Sequence, residues 1–117
     1  MQSKSYMYCN ISIFLSAAPK LDYDSRFENF TTHVGGLVRI NVDMTGDPAP
    51  TVTWTKDGST LTPRRWMSVE STDYMTSLLI KQASAEDAGE YTVTAKNQWG
   101  SKKINFNINV QGKEKIR

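Results

Sequence analysis

The residue types that most often carry catalysis or metal binding are scarce in this chain. It has one histidine, His33, and one cysteine, Cys9. A lone histidine cannot supply a metal site with two or more histidine ligands, although it could in principle assist a nucleophile. A reactive thiol needs an electropositive setting, and only Lys4 lies near Cys9 in sequence. No glycine-rich phosphate loop, pair of catalytic acids or metal-spaced cluster is present, so the sequence predicts no enzyme activity, no cofactor and no metal.

Two tryptophans are better candidates for function, as contacts for another protein. Trp66 follows Arg64 and Arg65, and tryptophan and arginine are enriched at binding hot spots. Strand alternation directs Met67 inward and Trp66 outward. The patch is therefore either a protein contact or a solvated edge on which an arginine stacks against the ring.

The second candidate is Trp99, in the stretch "NQWG" between two predicted strands. A large aromatic residue in such a hairpin can be exposed and bind a partner. The alternative, which we favour from sequence, is packing across the end of the domain onto Pro48 and Pro50.

Length and charge exclude several classes of function. The chain has 117 residues, 38% of them hydrophobic and 22% charged, which suits one soluble globular domain. Its net charge is +2 and no basic stripe is present, so a nucleic-acid partner is not expected. The apolar stretch "ISIFLSAA" is too short to span a membrane, and a membrane partner is not expected either.

The chain divides into three parts. Residues 1–18 are interpreted as a flexible leader or linker, with a signal peptide as the alternative. Residues 19–110 are expected to form one folded domain, and residues 111–117 a solvated linker or tail that contains "KEKIR". Glycosylation triplets begin at Asn10 and Asn29 and matter only if the chain is secreted.

Apolar residues alternate with polar ones through most of the middle part, which is the pattern of half-buried strands. "LVRINVDM" and "KKINFNINV" are the clearest cases. "FTTHVGG" suggests an edge strand that holds His33 near the surface, and "QASAEDAG" allows one short helical turn that Gly89 ends. The predicted core consists of Val38, Ile40, Val42, Val52, Trp54, Val69, Leu78, Ile80, Tyr91, Val93, Ala95, Phe106 and Ile108.

The stretch "DAGEY" resembles the D-x-G-x-Y motif of immunoglobulin domains, with Asp87, Gly89 and Tyr91 in the motif positions. In that family the tyrosine hydroxyl bonds back to the main chain, and a cysteine follows two residues later. This chain has Val93 there. In the family a tryptophan follows the first cysteine by about a dozen residues; Trp54 matches it and leaves Val42 in the first cysteine position. The disulfide frame is present without its cysteines.

Further stretches are similar to the I-set class of immunoglobulin domains. "GDPAPTVTWTKDG" resembles the I-set signature around the third strand, and "AKNQWG" resembles the hairpin between the last two strands. The resemblance implies an all-β, two-sheet antiparallel immunoglobulin-like sandwich with no intradomain disulfide.

Cysteine-poor I-set domains are characteristic of intracellular muscle giants such as titin, twitchin, projectin, obscurin and myosin-binding protein C. This chain resembles one of those domains. The resemblance implies a non-catalytic structural and protein-interaction module of a sarcomeric or cytoskeletal filament protein in the cytoplasm. The implied partners are neighbouring domains of the parent protein and filament proteins, and the isolated domain is expected to be monomeric. One alternative is a secreted or cell-surface adhesion domain, and another is a module that flanks and regulates a muscle protein kinase.

Overall fold

A computed structural model describes residues 17–112, which form nine strands and two short 3₁₀ helices. In chain order, the strands are β1 (Ala17–Tyr23), β2 (Asn29–His33), β3 (Val38–Asp47), β4 (Thr51–Lys56), β5 (Ser59–Thr60), β6 (Met67–Ser71), β7 (Met75–Ile80), β8 (Gly89–Asn97) and β9 (Gly100–Gln111). The 3₁₀ helices are Ser25–Glu28 and Ala85–Asp87, and the second is the helical turn expected from "QASAEDAG".

The strands form two sheets. One has five strands in the order β2-β9-β8-β4-β5, and the other has four in the order β1-β3-β7-β6. The prediction of an all-β, two-sheet sandwich is confirmed. It needs one correction, because β2 pairs with β9 in parallel while all the other paired strands in the described range are antiparallel.

Alternation along the strands builds the core between the sheets. In β3 every second residue from Val38 to Met44 is buried and the residues between them are exposed. The same alternation holds for Ile104, Phe106 and Ile108 in β9. Full burial of an aliphatic or aromatic side chain of this size contributes about 1.5–3 kcal/mol, so these rows hold the sheets together.

Most of the predicted core is buried, but Val52 and Val69 are only partly buried and pack against its margin. The reason is position: Val69 lies on β6, an edge strand with one open side, and Val52 lies near the start of β4. Met67, which strand alternation directed inward, is buried although the predicted core did not include it. Other buried residues outside the predicted core are Phe27, Met44, Thr76, Ala83, Asp87 and Ile104.

The first strand begins two residues before the boundary predicted for the folded domain. Ala17 pairs with Asp47, and the Ala17 carbonyl accepts a 2.8 Å hydrogen bond from the Asn97 side-chain amide. The same amide donates to the carbonyl of Pro48 at 2.9 Å, so Asn97 ties β1 to the loop after β3. The rest of the predicted leader, including Cys9 and Asn10, lies outside the described residues, as do residues 113–117.

Candidate protein-interaction surface

Tyr91 fastens the start of β8 to the turn that precedes it. Its hydroxyl donates a 2.7 Å hydrogen bond to the carbonyl oxygen of Asp87, and the side chain is fully buried. Burial, and then the nearby Asp87 carboxylate, raise the pKa of Tyr91 above its usual value. The hydroxyl therefore stays protonated at neutral pH and remains a donor, as the D-x-G-x-Y resemblance implies.

The Asp87 carboxylate is buried, and it accepts hydrogen bonds on one oxygen and lies near a cation on the other. Ser84 donates to Asp87 Oδ2 from its main-chain N–H at 2.9 Å and from its hydroxyl at 3.3 Å. Arg64 Nη1 lies 3.6 Å from Asp87 Oδ1 and 2.7 Å from Glu86 Oε1. Asp87 thus shapes the turn before β8, and Arg64 is held against that turn.

The two cysteine positions of the disulfide frame are filled by buried valines. Val42 on β3 and Val93 on β8 are both fully buried in the one core between the sheets. Val93 is paired with Trp54 across β8 and β4, and Val42 is paired with Thr76 across β3 and β7. This arrangement is the one that the predicted roles require, with Val42 and Val93 in the cysteine positions and Trp54 beside them in the core.

Arg64, Arg65 and Trp66 form a tight turn immediately before β6. The N–H of Met67 donates to the carbonyl of Arg64 at 2.9 Å, and Trp66 has a φ of 70°. A positive φ at the third position of a turn, with a negative φ at the second, is the pattern of type II, in which glycine or asparagine is the usual third residue. Arg65 is not among the residues with positive φ, so the turn has this pattern. The outward direction predicted for Trp66 holds, but it comes from this turn and not from strand alternation.

The turn borders a shallow cavity at one end of the sandwich. Its volume is about 410 Å³, and its lining includes Val34, Arg64, Arg65, Trp66, Ala83 and Glu86. Trp66 is 46% exposed, and the Arg65 guanidinium carbon lies 5.4 Å from the centre of its ring. The arginine–tryptophan contact that the solvated-edge alternative predicted is therefore present, and it lies beside a concave surface. The contact does not decide between the two alternatives, because the ring remains exposed.

A family model for the immunoglobulin I-set domain matches residues 22–113. The chain belongs to the immunoglobulin I-set family. The resemblance expected from "DAGEY", Trp54 and the valine pair is confirmed.

Relatives of this I-set domain occur in muscle proteins and in cell-adhesion proteins. The chain is 37% identical over 94 residues to the muscle M-line assembly protein unc-89 of Caenorhabditis elegans, which covers 80% of this chain. It is 30% identical over 108 residues to neural cell adhesion molecule 1 of Gallus gallus, which covers 92% of this chain. The chain spans 1% of the length of the first protein and 10% of the second.

Solved titin domains have the same fold. The titin M3 domain has a TM-score of 0.72 and 26% identity, covering 83% of this chain and all of that one. A chain from the complex of titin M10 with an obscurin-like 1 immunoglobulin domain has a TM-score of 0.69 and 25% identity. That alignment covers 82% of this chain and 96% of the other.

Trp99 lies at the opposite end of the I-set domain from Trp66. It precedes β9, whereas the cavity beside Trp66 is lined by Val34, whose N–H bonds to Gln111 at the end of β9. Trp99 is 53% exposed, so more than half of its surface is open to solvent. The packing onto Pro48 and Pro50 that we favoured from sequence stays a prediction for the rest of the side chain. The fold therefore separates the two tryptophan candidates into different surfaces.

The remaining chemistry-bearing residues are dispersed. His33 is exposed at the end of edge strand β2, and Asn29 is exposed at its start. Among residues 17–112 no group of three histidine, cysteine, aspartate or glutamate side chains could hold a metal ion. No helix in that range has the length and apolarity needed to cross a membrane.

Proposed function

We propose that this I-set domain is a non-catalytic structural and protein-interaction module of a sarcomeric or cytoskeletal filament protein. The observation that carries the proposal is the buried valine pair, Val42 and Val93, in the two cysteine positions. Disulfides are the common staple of small extracellular domains and are rare in the reducing cytosol. A core that is held by apolar residues instead of a disulfide is suited to the reducing cytosol. The similarity to unc-89 and to titin domains also supports an intracellular filament module.

The positions at which the chain enters and leaves the sandwich support a place in a tandem array. Ala17 lies beside Asn97 near the β8–β9 hairpin, and Gln111 lies beside Val34 at the far end of the twelve-residue strand β9. The two ends of the domain are thus at opposite poles. Neighbouring domains attached there would extend along one line, and the module would act as a spacer.

The pairing of β2 with β9 suits such a spacer. The strands are parallel, with Asn29 opposite Asn107 and His33 opposite Gln111. Tension along the array would pull these strands past each other, and it would load their hydrogen bonds together instead of one after another. We propose that the β2–β9 pair is the main mechanical resistance of the module.

Binding partners are proposed to be neighbouring domains and filament proteins, recognised through exposed side chains. The candidates are the surface of Arg64, Arg65 and Trp66 and, separately, Trp99. The titin M10–obscurin-like 1 complex is a precedent for one such domain pairing with another. Nucleic acid and membrane are not proposed as partners, and the isolated domain is proposed to be monomeric.

The proposal is tested by co-sedimentation of the full chain with washed myofibrils. We expect the chain to pellet with the filaments and to remain bound at physiological salt. A variant with Trp66 and Trp99 both replaced by serine should melt within a few degrees of the parent and pellet less. Recovery of the parent chain only in the supernatant would contradict the proposal.

Cell-surface recognition is a second candidate, and two observations favour it. The match to neural cell adhesion molecule 1 covers 92% of the chain, and Asn29 of the glycosylation triplet is exposed. Expression in animal cells separates the two proposals. A glycosidase-sensitive mass that Asn29→Gln abolishes would support recognition outside the cell, and an unmodified chain in the cell lysate would support the filament module.

A further inference from the structure

The backbone of Trp66 is held in a conformation that a tryptophan does not favour. Its φ of 70° is left-handed, where side chains with a Cβ are crowded and glycine is the usual residue. Two main-chain hydrogen bonds hold the turn from either side. The N–H of Met67 bonds to Arg64, and the N–H of Lys81 bonds to the Trp66 carbonyl at 2.8 Å. The direction of the Trp66 Cα–Cβ bond is therefore set by the turn before any partner arrives.

The turn does not require a tryptophan at this position. Trp66 is 46% exposed and lies outside the hydrophobic core, while Met67 beside it is buried and fills the core. Glycine would satisfy the turn, and any small polar residue would satisfy the surface. Residues held in rare backbone conformations are concentrated at sites of function, and an exposed tryptophan is the kind of anchor found at binding hot spots.

Charge distinguishes the two arginines beside the ring. Arg64 is neutralised by Glu86 and lies near the buried Asp87. Arg65 has no carboxylate within ion-pair distance anywhere in the part of the chain that the structure describes, and neither does Lys81. Arg65 instead lies over the Trp66 ring. The lining of the cavity contains two arginines and one glutamate, and the carboxylates of Glu86 and Asp87 both lie against Arg64. Arg65 is therefore the lining cation that is left for a carboxylate from outside the domain.

We propose that the cavity bordered by Trp66 and Arg65 binds a short acidic segment of a partner protein, in which a carboxylate lies next to an apolar side chain. The apolar side chain would pack on Trp66, Val34 and Ala83, and the carboxylate would pair with Arg65. The volume of about 410 Å³ is within the usual range for a site that takes a few side chains. This inference deepens the proposed function, since it names the chemistry that the interaction module would recognise.

The test is selection of a displayed library of random peptides against the full chain, followed by affinity measurements on the enriched peptides. We expect enriched peptides to carry aspartate or glutamate beside an aliphatic or aromatic residue. Trp66→Gly keeps the turn and removes the ring, so it should weaken their binding by about 30-fold or more. Arg65→Gln should weaken it about tenfold. Trp99→Gly, the same change at the other end of the domain, should leave it unaltered.

Several outcomes would overturn the inference. These are the absence of enriched peptides, a basic consensus, affinity that Trp66→Gly leaves unchanged, or a self-association of the chain that Trp66→Gly abolishes. Equal melting of the three variants and the parent excludes unfolding as the cause of lost binding. Failure here is distinguishable from failure of the proposed function, because the parent chain would still pellet with myofibrils.

Discussion

The indole N–H of Trp54 donates a 2.8 Å hydrogen bond to the hydroxyl oxygen of Thr76, and this bond joins the two sheets. The paired residue of Trp54 within its own sheet is Val93, and that of Thr76 is Val42. The polar link therefore stands beside the two positions at which the immunoglobulin frame has its disulfide. A buried hydrogen bond contributes about 1 kcal/mol and a disulfide about 2–4 kcal/mol, so burial of the valines must supply most of the compensation.

Thr76→Val should destabilise the domain although valine has nearly the same shape as threonine. The buried indole N–H would lose its acceptor, and an unsatisfied buried donor costs about 1–3 kcal/mol. Urea denaturation should show a lower midpoint with an unchanged slope. Thr76→Ser keeps the hydroxyl and should recover part of the loss. Equal midpoints for Thr76→Val and the parent would mean that the Trp54 bond does not contribute to stability.

Asp57 should make stability depend on pH in the acidic range. Its carboxylate accepts a 2.9 Å hydrogen bond from the N–H of Glu90, and this bond, followed by that from Lys56, lowers the pKa of Asp57. A lowered pKa in the folded state stabilises the domain above the unfolded carboxyl pKa of about 3.9, and this contribution disappears as pH falls through the folded value.

The measurement is the difference in unfolding free energy between the parent and Asp57→Asn as a function of pH. Asparagine tolerates the φ of 51° at this position, so the comparison isolates the charge. The parent should be the more stable protein at neutral pH, and the difference should shrink below about pH 4. The exposed Asp73→Asn serves as control, and a difference that grows with acidity would contradict the assignment.

Gly89→Ala should cost more than Gly58→Ala. A Cβ on Gly89 would lie 2.8 and 2.9 Å from the two carboxylate oxygens of Asp57, and its φ is 152°. Gly58 has a φ of 86° but nothing within 4 Å of its Cβ position, so its variant measures backbone strain alone. We expect losses of about 1–2 kcal/mol for Gly58→Ala and a larger loss for Gly89→Ala, measured by thermal melting. Equal losses would show that Asp57 moves aside freely.

The Trp66→Gly variant should be more stable than the Trp66→Ala variant. At most positions the alanine variant is the more stable of the two. Both variants lose the ring, and only alanine retains the left-handed strain at this turn, worth about 1 kcal/mol. At Met67, the next position, alanine should be the less harmful replacement of the two. If Trp66→Ala melts above Trp66→Gly, the type II turn is not retained in solution.

Much of the fold could be predicted because alternation along β3 and β9 is regular and because "DAGEY" and Trp54 lie at the family's spacings from the two cysteine positions. Thr76 was missed although it has the same parity in β7 as Leu78 and Ile80, since a threonine is ordinarily read as polar. β5 was missed because two residues are too few to alternate.

Only part of the candidate interaction surface could be predicted from the sequence. The residue types of Arg65 and Trp66 suggested a contact, and the outward direction of Trp66 was right. The left-handed turn could not be foreseen, because the usual sequence signal for it is glycine or asparagine at the third position and this chain has Trp66 there. The link from Asp57 to Glu90 spans 33 positions and depends on how β4 and β8 are paired.

The central claim, that this I-set domain works inside the cell on a filament, is tested most directly by where the chain is found in muscle. The measurement is imaging of the full chain, carrying a small C-terminal tag, in striated muscle cells. We expect periodic bands in register with the sarcomere, on a chain without glycan. Recovery of the tagged chain from the cell surface or the medium, with a glycan on Asn29, would contradict the claim.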